Sequence, residues 1–511
     1  MNSTCSGDSI LMGCGQDDEM MNGRDTRMPE VTTYKNYIAG EWRESSGGQF
    51  EVKSPGDGSP VYRAQRSTVD DIRAAIAAAR EAFETTEWRD DPSARTAALF
   101  KFAEAVRARH EELAHLLTRE SGKPYPISRG EALRLSETTS YFAGLARWIF
   151  GRSQIPQPNS ISLIMREPVG VVGIIVPWNA PLALLARAIA PALAAGNAVV
   201  VKPASYTAGS TVELAKILEG IPEIPKGIVN IVTGPGDPVG AELARHHDVD
   251  MVAFTGDTAT GREVMRLAAG NLKKVSLELG GKSPTIIFAD ANMDRAIRGA
   301  LNAASFYNAG QICIAGTRVL VESSVHDAFV ERVKEMVPKM KVGPGWEKGV
   351  EVGPVISESQ LEKVTGYIEE GKREAVLITG GHRLTEGALA KGYFIAPTVF
   401  DQMNPDGKIA QEEIFGPVMG ITTFKDLDDA IKIANNTVYG LVAAVWTRDI
   451  NKAMKIATRV RAGSVWVNTF GKMFQSTEMG GFKQSGLGRQ YGLEGLFEYT
   501  ELKHVNIQLE K

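Results

Sequence analysis

Five short apolar runs recur through the middle of the chain, at residues 171–176, 198–201, 228–232, 251–254 and 275–279. Ala- and Leu-rich stretches of helical period separate them. Runs without polar alternation are strands buried on both faces, and their alternation with helices makes the sheet parallel. The pattern predicts a doubly wound α/β unit. Ligands of such sheets bind beyond the carboxyl ends of the strands. There the sequence places Pro177-Trp178-Asn179, Lys202-Pro203, Gly234-Pro235-Gly236 and Thr255-Gly256.

A second α/β unit follows, with strands predicted at 285–288, 317–321, 375–378, 420–424, 441–446 and 464–467. Residues 497–507 alternate as a strand does and can pair with 160–166, another alternating segment, in a small third sheet. Upstream, Tyr37-Ile38-Ala39-Gly40 reads as a hairpin turn. Ser67-Thr68-Val69-Asp70-Asp71 reads as a capping box that opens a helix through Phe83. Further helices are predicted over 93–119, stopped by Gly122 and Pro124, and over 128–150.

Composition narrows the class. The length of 511 residues suits about three domains. With 43% apolar and 23% charged residues the chain can bury a large core, which excludes a wholly disordered protein. Lys+Arg 57 against Asp+Glu 61 leaves a net charge of −4 and no basic run, so nothing marks a nucleic-acid partner. The richest apolar stretch, 181–201, is interrupted by Arg187 and Asn197, so no membrane span is expected. The first residues show neither a basic nor a long apolar region, and a cytoplasmic location is the expectation. Residues 1–33 are expected to form a disordered, polar tail. That tail holds Cys5 and Cys14, which leaves Cys313 alone in the body and without a disulfide partner there. His246 and His247 are adjacent but lack the spacing of a metal site, so no metal is expected.

Cys313 lies in Gly310-Gln311-Ile312-Cys313-Ile314-Ala315-Gly316. The glycines let the backbone approach a ligand closely. At such a turn a thiol can have a lowered pKa and act as a thiolate nucleophile; the alternative is a small buried hydrophobe. Glu278, between Leu277 and Leu279 at a strand end, is a candidate general base brought toward neutrality by desolvation. The alternative is an ion pair with Lys282. Asn179 either donates its amide to a developing oxyanion or caps the helix starting near Pro181. Gly234 to Gly240 approaches the dinucleotide G-x-G-x-x-G pattern without matching it. Gly256 stands beside a helix N-terminus, which suits a phosphate.

Taken in order, Pro-Trp-Asn, Lys-Pro-Ala, Phe-Thr-Gly, Leu-Glu-Leu-Gly-Gly-Lys, Gly-Gln-x-Cys-x-Ala-Gly-Thr-Arg and Glu-Glu-Ile-Phe-Gly-Pro-Val resemble the aldehyde dehydrogenase superfamily. The stretch 480–486 adds a further match, and the resemblance spans 34–505. It implies an α/β fold of two doubly wound domains plus a small oligomerisation sheet. The cofactor-binding domain would comprise 34–150 and 168–279, the catalytic domain 280–480, and the oligomerisation segments 151–167 and 481–511. The activity implied is NAD- or NADP-dependent oxidation of a small-molecule aldehyde to its acid, in a homodimer or homotetramer. In that scheme Cys313 carries the thiohemiacetal and then a thioester, Asn179 and the Cys313 N–H hold the oxyanion, and Glu278 activates water. Trp178, Lys202, Ser205, Gly236, Gly256, Asp257, Glu413 and Phe415 fall at cofactor positions. Lys202 falls at the adenosine ribose, Gly236 under the adenosine half, Gly256 at the pyrophosphate, Glu413 at the nicotinamide ribose and Phe415 beside the ring. Ala180, Leu184, Ile312 and Met479 fall at the substrate tunnel.

Four positions depart from the common pattern. Ser205 replaces a glutamate frequent in strictly NAD-preferring members, which makes NADP admissible. Asp257 replaces a serine, and its charge opposes a phosphate unless the side chain turns back as a helix cap. Ala180 replaces a phenylalanine. Glu478-Met479 replaces Pro-Phe. Three rival readings remain within the resemblance. Glu278 argues against a CoA-acylating enzyme. Arg187, paired with Tyr307 rather than a second arginine, is half of a succinic-semialdehyde clamp. The intact set of Cys313, Glu278 and Asn179 argues against a non-catalytic structural protein.

Overall fold

The computed structural model describes residues 31–510. Residues 1–30 of the expected tail, with Cys5 and Cys14, lie outside the described residues. Its predicted boundary at 33 is too late: Thr33–Tyr34 is already a short strand, parallel to Pro60–Gln65. Burial drives this, because the Tyr34 ring packs edge-on against Tyr62 at 5.1 Å between centroids.

All five central apolar runs are strands of one sheet. Their spatial order is Lys274–Glu278, Met251–Thr255, Val171–Ile175, Ala198–Lys202, Val229–Ile231, and all four pairings are parallel. The chain enters at Val171–Ile175, builds toward one edge, then returns to fill the other side. Its direction therefore switches between Val171–Ile175 and Met251–Thr255, the place where such sheets bind ligands. Antiparallel strands complete both edges. Asn36–Ile38 and Glu41–Arg43 form a hairpin beyond Val229–Ile231, turning through left-handed Ala39 and Gly40 as expected. Gly486–Leu487 pairs with Lys274–Glu278 at the opposite edge. The segment 481–511 thus belongs partly to this sheet, since the outer strand would otherwise expose an unpaired ladder.

Two helix layers enclose the strands. Val69–Thr85 packs with Ala241–Arg245, and Pro181–Ala194 packs with Ala208–Leu218 and Tyr125–Leu145. Val69–Thr85 opens on the predicted box: Thr68 Oγ1 accepts from the Asp71 N–H, and Asp71 Oδ2 accepts from the Thr68 N–H at 2.7 Å. The helix predicted over 93–119 is two helices, Pro92–Ala108 and His110–Ser121. They break at Arg109, whose backbone leaves the helical range and whose guanidinium donates to Glu112 and Glu213. The next helix, expected over 128–150, is Tyr125–Leu145.

The second large sheet has the order Val376–Thr379, Thr398–Asp401, Val418–Phe424, Arg318–Glu322, Pro284–Ile287, Val442–Trp446, Ser464–Val467. Only the edge strand Val376–Thr379 is antiparallel. Six of these strands were expected. Thr398–Asp401 was not: its four residues are all buried and follow a proline, so they show no alternation. In the third sheet Ser160–Pro168 pairs antiparallel with Thr500–Gln508, and Arg152–Gln154 adds a third strand. Residues up to Phe497 belong instead to the helix Gly492–Phe497. Among the described residues no helix is long and apolar enough to cross a membrane.

Candidate active site

The loop carrying Cys313 joins the helix Met293–Ala303 to the strand Arg318–Glu322. It turns through left-handed Ser305, Ala309 and Gly310. A Cβ on Gly310 would lie 1.9 Å from the Gly416 carbonyl oxygen, so the loop rests directly on the backbone after Phe415. Glu278 ends the strand Lys274–Glu278, and Gly280-Gly281 follow. Side chains there would collide, Gly280 with Glu413 Oε2 at 2.3 Å and Gly281 with the Cys313 carbonyl at 2.5 Å. The glycine pair is what lets the strand of the first sheet meet the thiol loop of the second.

Asn179 is not a helix cap. Ala180 is the N-cap of Pro181–Ala194, and Glu131 Oε1 takes the free N–H groups of Leu182 and Ala183 at 2.9 and 3.3 Å. Asn179 Nδ2 instead donates to the Gln311 carbonyl at 2.9 Å. The Asn179 carbonyl accepts from Lys123 Nζ and from Asn308 Nδ2, both at 3.2 Å. Lys123 is paired with Glu131, and both are buried. Gln311 clamps the loop from within, donating to the Asn308 carbonyl and accepting from the Ile356 N–H.

Glu278 is buried, and its Oε1 has no hydrogen-bond partner among the described residues. It forms no ion pair with Lys282, the alternative its sequence left open. Burial raises its pKa to about 8, against the pull of Arg187 and Arg489. The expectation for Cys313 is reversed. Burial, reinforced by Glu413 and Glu278, pushes its thiol up to about 12, and Arg187 only partly offsets this. Loop glycines do not by themselves make an electropositive pocket. The resting thiol is protonated and needs a base. Burial opposes the charge of the Arg187 guanidinium, but Tyr491, Cys313 and Glu278 around it hold its pKa above the ordinary arginine value.

Two cavities converge here, and both are lined by Asn179, Leu184 and Cys313. The larger, about 410 Å³, runs along the carboxyl ends of the first sheet. Trp178, Lys202, Gly256, Asp257, Glu413 and Phe415 line it, together with Glu278. Lys202 is buried, its amine donates to the Pro203 carbonyl at 2.9 Å, and burial lowers its pKa to about 8. Asp257 does turn back as a cap, accepting from Thr260 N and Oγ1 at 2.9 and 2.5 Å. Glu413 accepts from the Gly281 N–H at 3.1 Å, and burial raises it to about 7. Phe415, left-handed, meets Trp178 edge-on at 5.4 Å and is held by Gln360, which donates to its carbonyl at 2.7 Å. Ser205 and Gly236 line neither cavity. The Ser205 hydroxyl donates to the Gly234 carbonyl at 3.0 Å, and Gly236 opens the turn Gly236–Gly240 with free space beside it.

The smaller cavity, about 120 Å³, is lined by Ala180, Leu184 and Ile312 as expected of a tunnel. Met479 is absent from it. Its backbone pairs with Gln490 at 2.8 Å, and its side chain is buried in the core of the first sheet. Phe470, Met473, Tyr307, Arg134 and Arg187 take the wall instead. Arg134 went unnoticed in the sequence, although the row Ile127, Glu131, Arg134 has helical spacing and all three line this cavity. His246, His247 and Asp248 bring one ligand atom each within 4.8 Å of one another, but His246 Nδ1 already accepts the Asp248 N–H.

Residues 42–505 match the model of the aldehyde dehydrogenase family. The betaine aldehyde dehydrogenase of Bacillus subtilis is 43% identical over 473 residues, 92% of this chain and 96% of that protein. Aldehyde dehydrogenase 1A1 of Gallus gallus is 44% identical, over 93% of both chains. Among solved structures, the betaine aldehyde dehydrogenase of Staphylococcus aureus in complex with NAD+ superposes with a TM-score of 0.92 at 38% identity, covering 93% of this chain and 95% of that one. An NAD-dependent aldehyde dehydrogenase from Sinorhizobium meliloti gives 0.92 at 39% identity, covering 96% and 97%.

Proposed function

The chain belongs to the aldehyde dehydrogenase family, and on that premise we propose that it oxidises a small aldehyde to the carboxylic acid at Cys313 with NAD as cofactor. The observation that carries the reading is the convergence of two cavities on the thiol, one along the carboxyl ends of the parallel sheet and one small and mostly apolar.

The larger cavity fits a dinucleotide. It lies at the switch point of a parallel sheet, with the buried cation Lys202 toward one end and the Glu413 carboxylate toward the other. Lys202 and Glu413 would hold the two riboses, and Trp178 and Phe415 would flank the ring. Bound there, NAD supplies a hydride acceptor. The chain does the rest. Cys313 Sγ adds to the aldehyde carbon as its proton passes to the Glu278 carboxylate, which releases it to solvent before the second half of the reaction. The second amide hydrogen of Asn179 and the Cys313 N–H receive the oxyanion. Loss of hydride from that carbon leaves a thioester on Sγ. Glu278 takes a proton from water, the hydroxide attacks the thioester, and the acid departs while the thiol is restored.

Position 205, outside the cavity and bonded to the Gly234 carbonyl, carries no carboxylate, and on that ground NADP is proposed as a second cofactor. Domain limits of 34–150 with 168–279 and of 280–480 are proposed for cofactor binding and catalysis. A homodimer or homotetramer is proposed through the third sheet, whose edge strand exposes Leu502 and Ile507 beside exposed Met165. A reducing compartment such as the cytoplasm is proposed because the one cysteine of the described body must stay a free thiol. The decisive experiment is Cys313→Ser. It should abolish oxidation while binding of NAD and the melting temperature persist; turnover at the wild-type rate would sink the assignment.

A further inference from the structure

Resting on the oxidation proposed at Cys313 and deepening it, we propose that the buried pair Lys123–Glu131 positions the oxyanion donor Asn179. Between the strand Val171–Ile175 and the helix Pro181–Ala194 the backbone is irregular. Ala180, the N-cap, has no polar side chain, and Pro181 follows it, so this stretch cannot tie itself down. It is tied from outside. Lys123 Nζ donates to the Asn179 carbonyl at 3.2 Å. Glu131, paired with that amine, accepts from the N–H groups of Leu182 and Ala183 at 2.9 and 3.3 Å. One ion pair thus grips the chain on both sides of Ala180. Asn308 Nδ2 adds a neutral bond to the Asn179 carbonyl and another to the Gln311 carbonyl, the acceptor that the Asn179 amide itself meets.

The lysine is rooted in the same stretch of chain as Gln311. Beside it, the Tyr125 N–H donates to the Gly345 carbonyl at 2.8 Å, and a Cβ on Gly345 would lie 2.1 Å from the Lys123 carbonyl oxygen. Gln311 Nε2 donates to the Pro354 carbonyl at 3.4 Å, and its Oε1 accepts from the Ile356 N–H at 3.0 Å. Residues 345–356 therefore fix both supports of Asn179: the amine on its carbonyl and the carbonyl that takes its amide hydrogen. An oxyanion donor works because it is aimed before the charge appears. Stability gives little reason for an ion pair here, since apolar side chains of similar volume serve a buried site as well or better. What the pair supplies is direction. With the Asn179 carbonyl, one amide hydrogen and the following helix start all held, the second amide hydrogen keeps one heading.

The test is a cycle on the full-length enzyme with NAD and the fastest of a panel of aliphatic and aromatic aldehydes. Lys123→Met with Glu131→Gln removes both charges and the bond to the Asn179 carbonyl, yet keeps an amide oxygen for Leu182 and Ala183. First-turnover NADH formation at saturating aldehyde should slow by roughly tenfold or more in this double variant, with KM for NAD within about twofold of wild type. In an Asn179→Ala background the same two substitutions should alter that rate by less than about twofold, because a support has no effect once the group it supports is gone. An unchanged first turnover in the double variant, or equal losses in both backgrounds, would overturn the proposal and leave oxidation at Cys313 standing. If the double variant does not melt cooperatively, Glu131→Gln alone is carried through the same cycle, and the same two results overturn the proposal. Asn179→Ala at the wild-type rate would overturn it together with the oxyanion role of Asn179. A wild type that turns over no aldehyde of the panel would overturn it together with the oxidation itself.

Discussion

Asn179 donates its side-chain amide to the Gln311 carbonyl at 2.9 Å, across 132 residues of sequence. The bond fastens the carboxyl end of a strand in one sheet to the thiol loop of the other. One amide hydrogen is structural, and the second is the one proposed to meet the oxyanion.

Replacing Asn179 by alanine should therefore separate two effects. Losing the oxyanion donor lowers kcat by about 10²–10³, whereas losing the Gln311 bond costs about 1 kcal/mol of stability. Steady-state rates and thermal melts of the same preparation measure both, and an unaltered kcat would remove Asn179 from the chemistry.

The proposed base Glu278 predicts a pH profile. With its carboxylate form as that base, thioester release should rise with pH to a midpoint near 8. Glu278→Gln should lose that limb, leaving a single-turnover burst of NADH and slow release. Stability runs the other way. Because the folded pKa lies above the unfolded one, the folded state binds this proton more tightly. The associated stability is full below the unfolded value of 4.5 and is lost as pH rises through about 8. Denaturant titrations across that range should show a steeper decline in wild type than in Glu278→Gln.

Cofactor choice tests Ser205. Its hydroxyl is engaged by Gly234, and no carboxylate stands at this position. Wild type should accept both NAD+ and NADP+. Ser205→Glu should weaken NADP+ about tenfold or more relative to NAD+, from the repulsion of one carboxylate and the 2′-phosphate after screening. Equal discrimination in wild type and variant would acquit the position.

The Lys123–Glu131 pair should be fragile in halves. Lys123→Met strands a buried carboxylate and should cost about 3–5 kcal/mol, while Lys123→Met with Glu131→Leu should recover part of it. Recovery will be incomplete, because Glu131 also accepts from Leu182 and Ala183. Chemical denaturation of the three proteins decides it.

Much of this was legible in the chain. Strands such as Ala198–Lys202 announce themselves because both faces are buried, and the Thr68–Asp71 box is a local event. What escaped depends on distant partners. The helix breaks at Arg109 with no proline or glycine beside it to foretell the break. The Cys313 pKa reverses because burial, not loop glycine, dominates it. Met479 faces the core because its backbone pairs with Gln490. Arg134 follows the helical period, but only the fold shows that its face borders a cavity.

The strand bearing Glu278 is closed by Gly486–Leu487, and Ser485 binds it further, donating to the Gly280 carbonyl at 2.7 Å and accepting from Leu279 at its own carbonyl. These contacts come from a segment 205 residues further along the polypeptide. On the ribosome, Asn179, Lys202 and the thiol all emerge while the frame around the base is still missing its outer rail. Such late, long-range closure is slow to form. The nascent chain thus carries its nucleophile without a completed site around it until Gly486–Leu487 has followed.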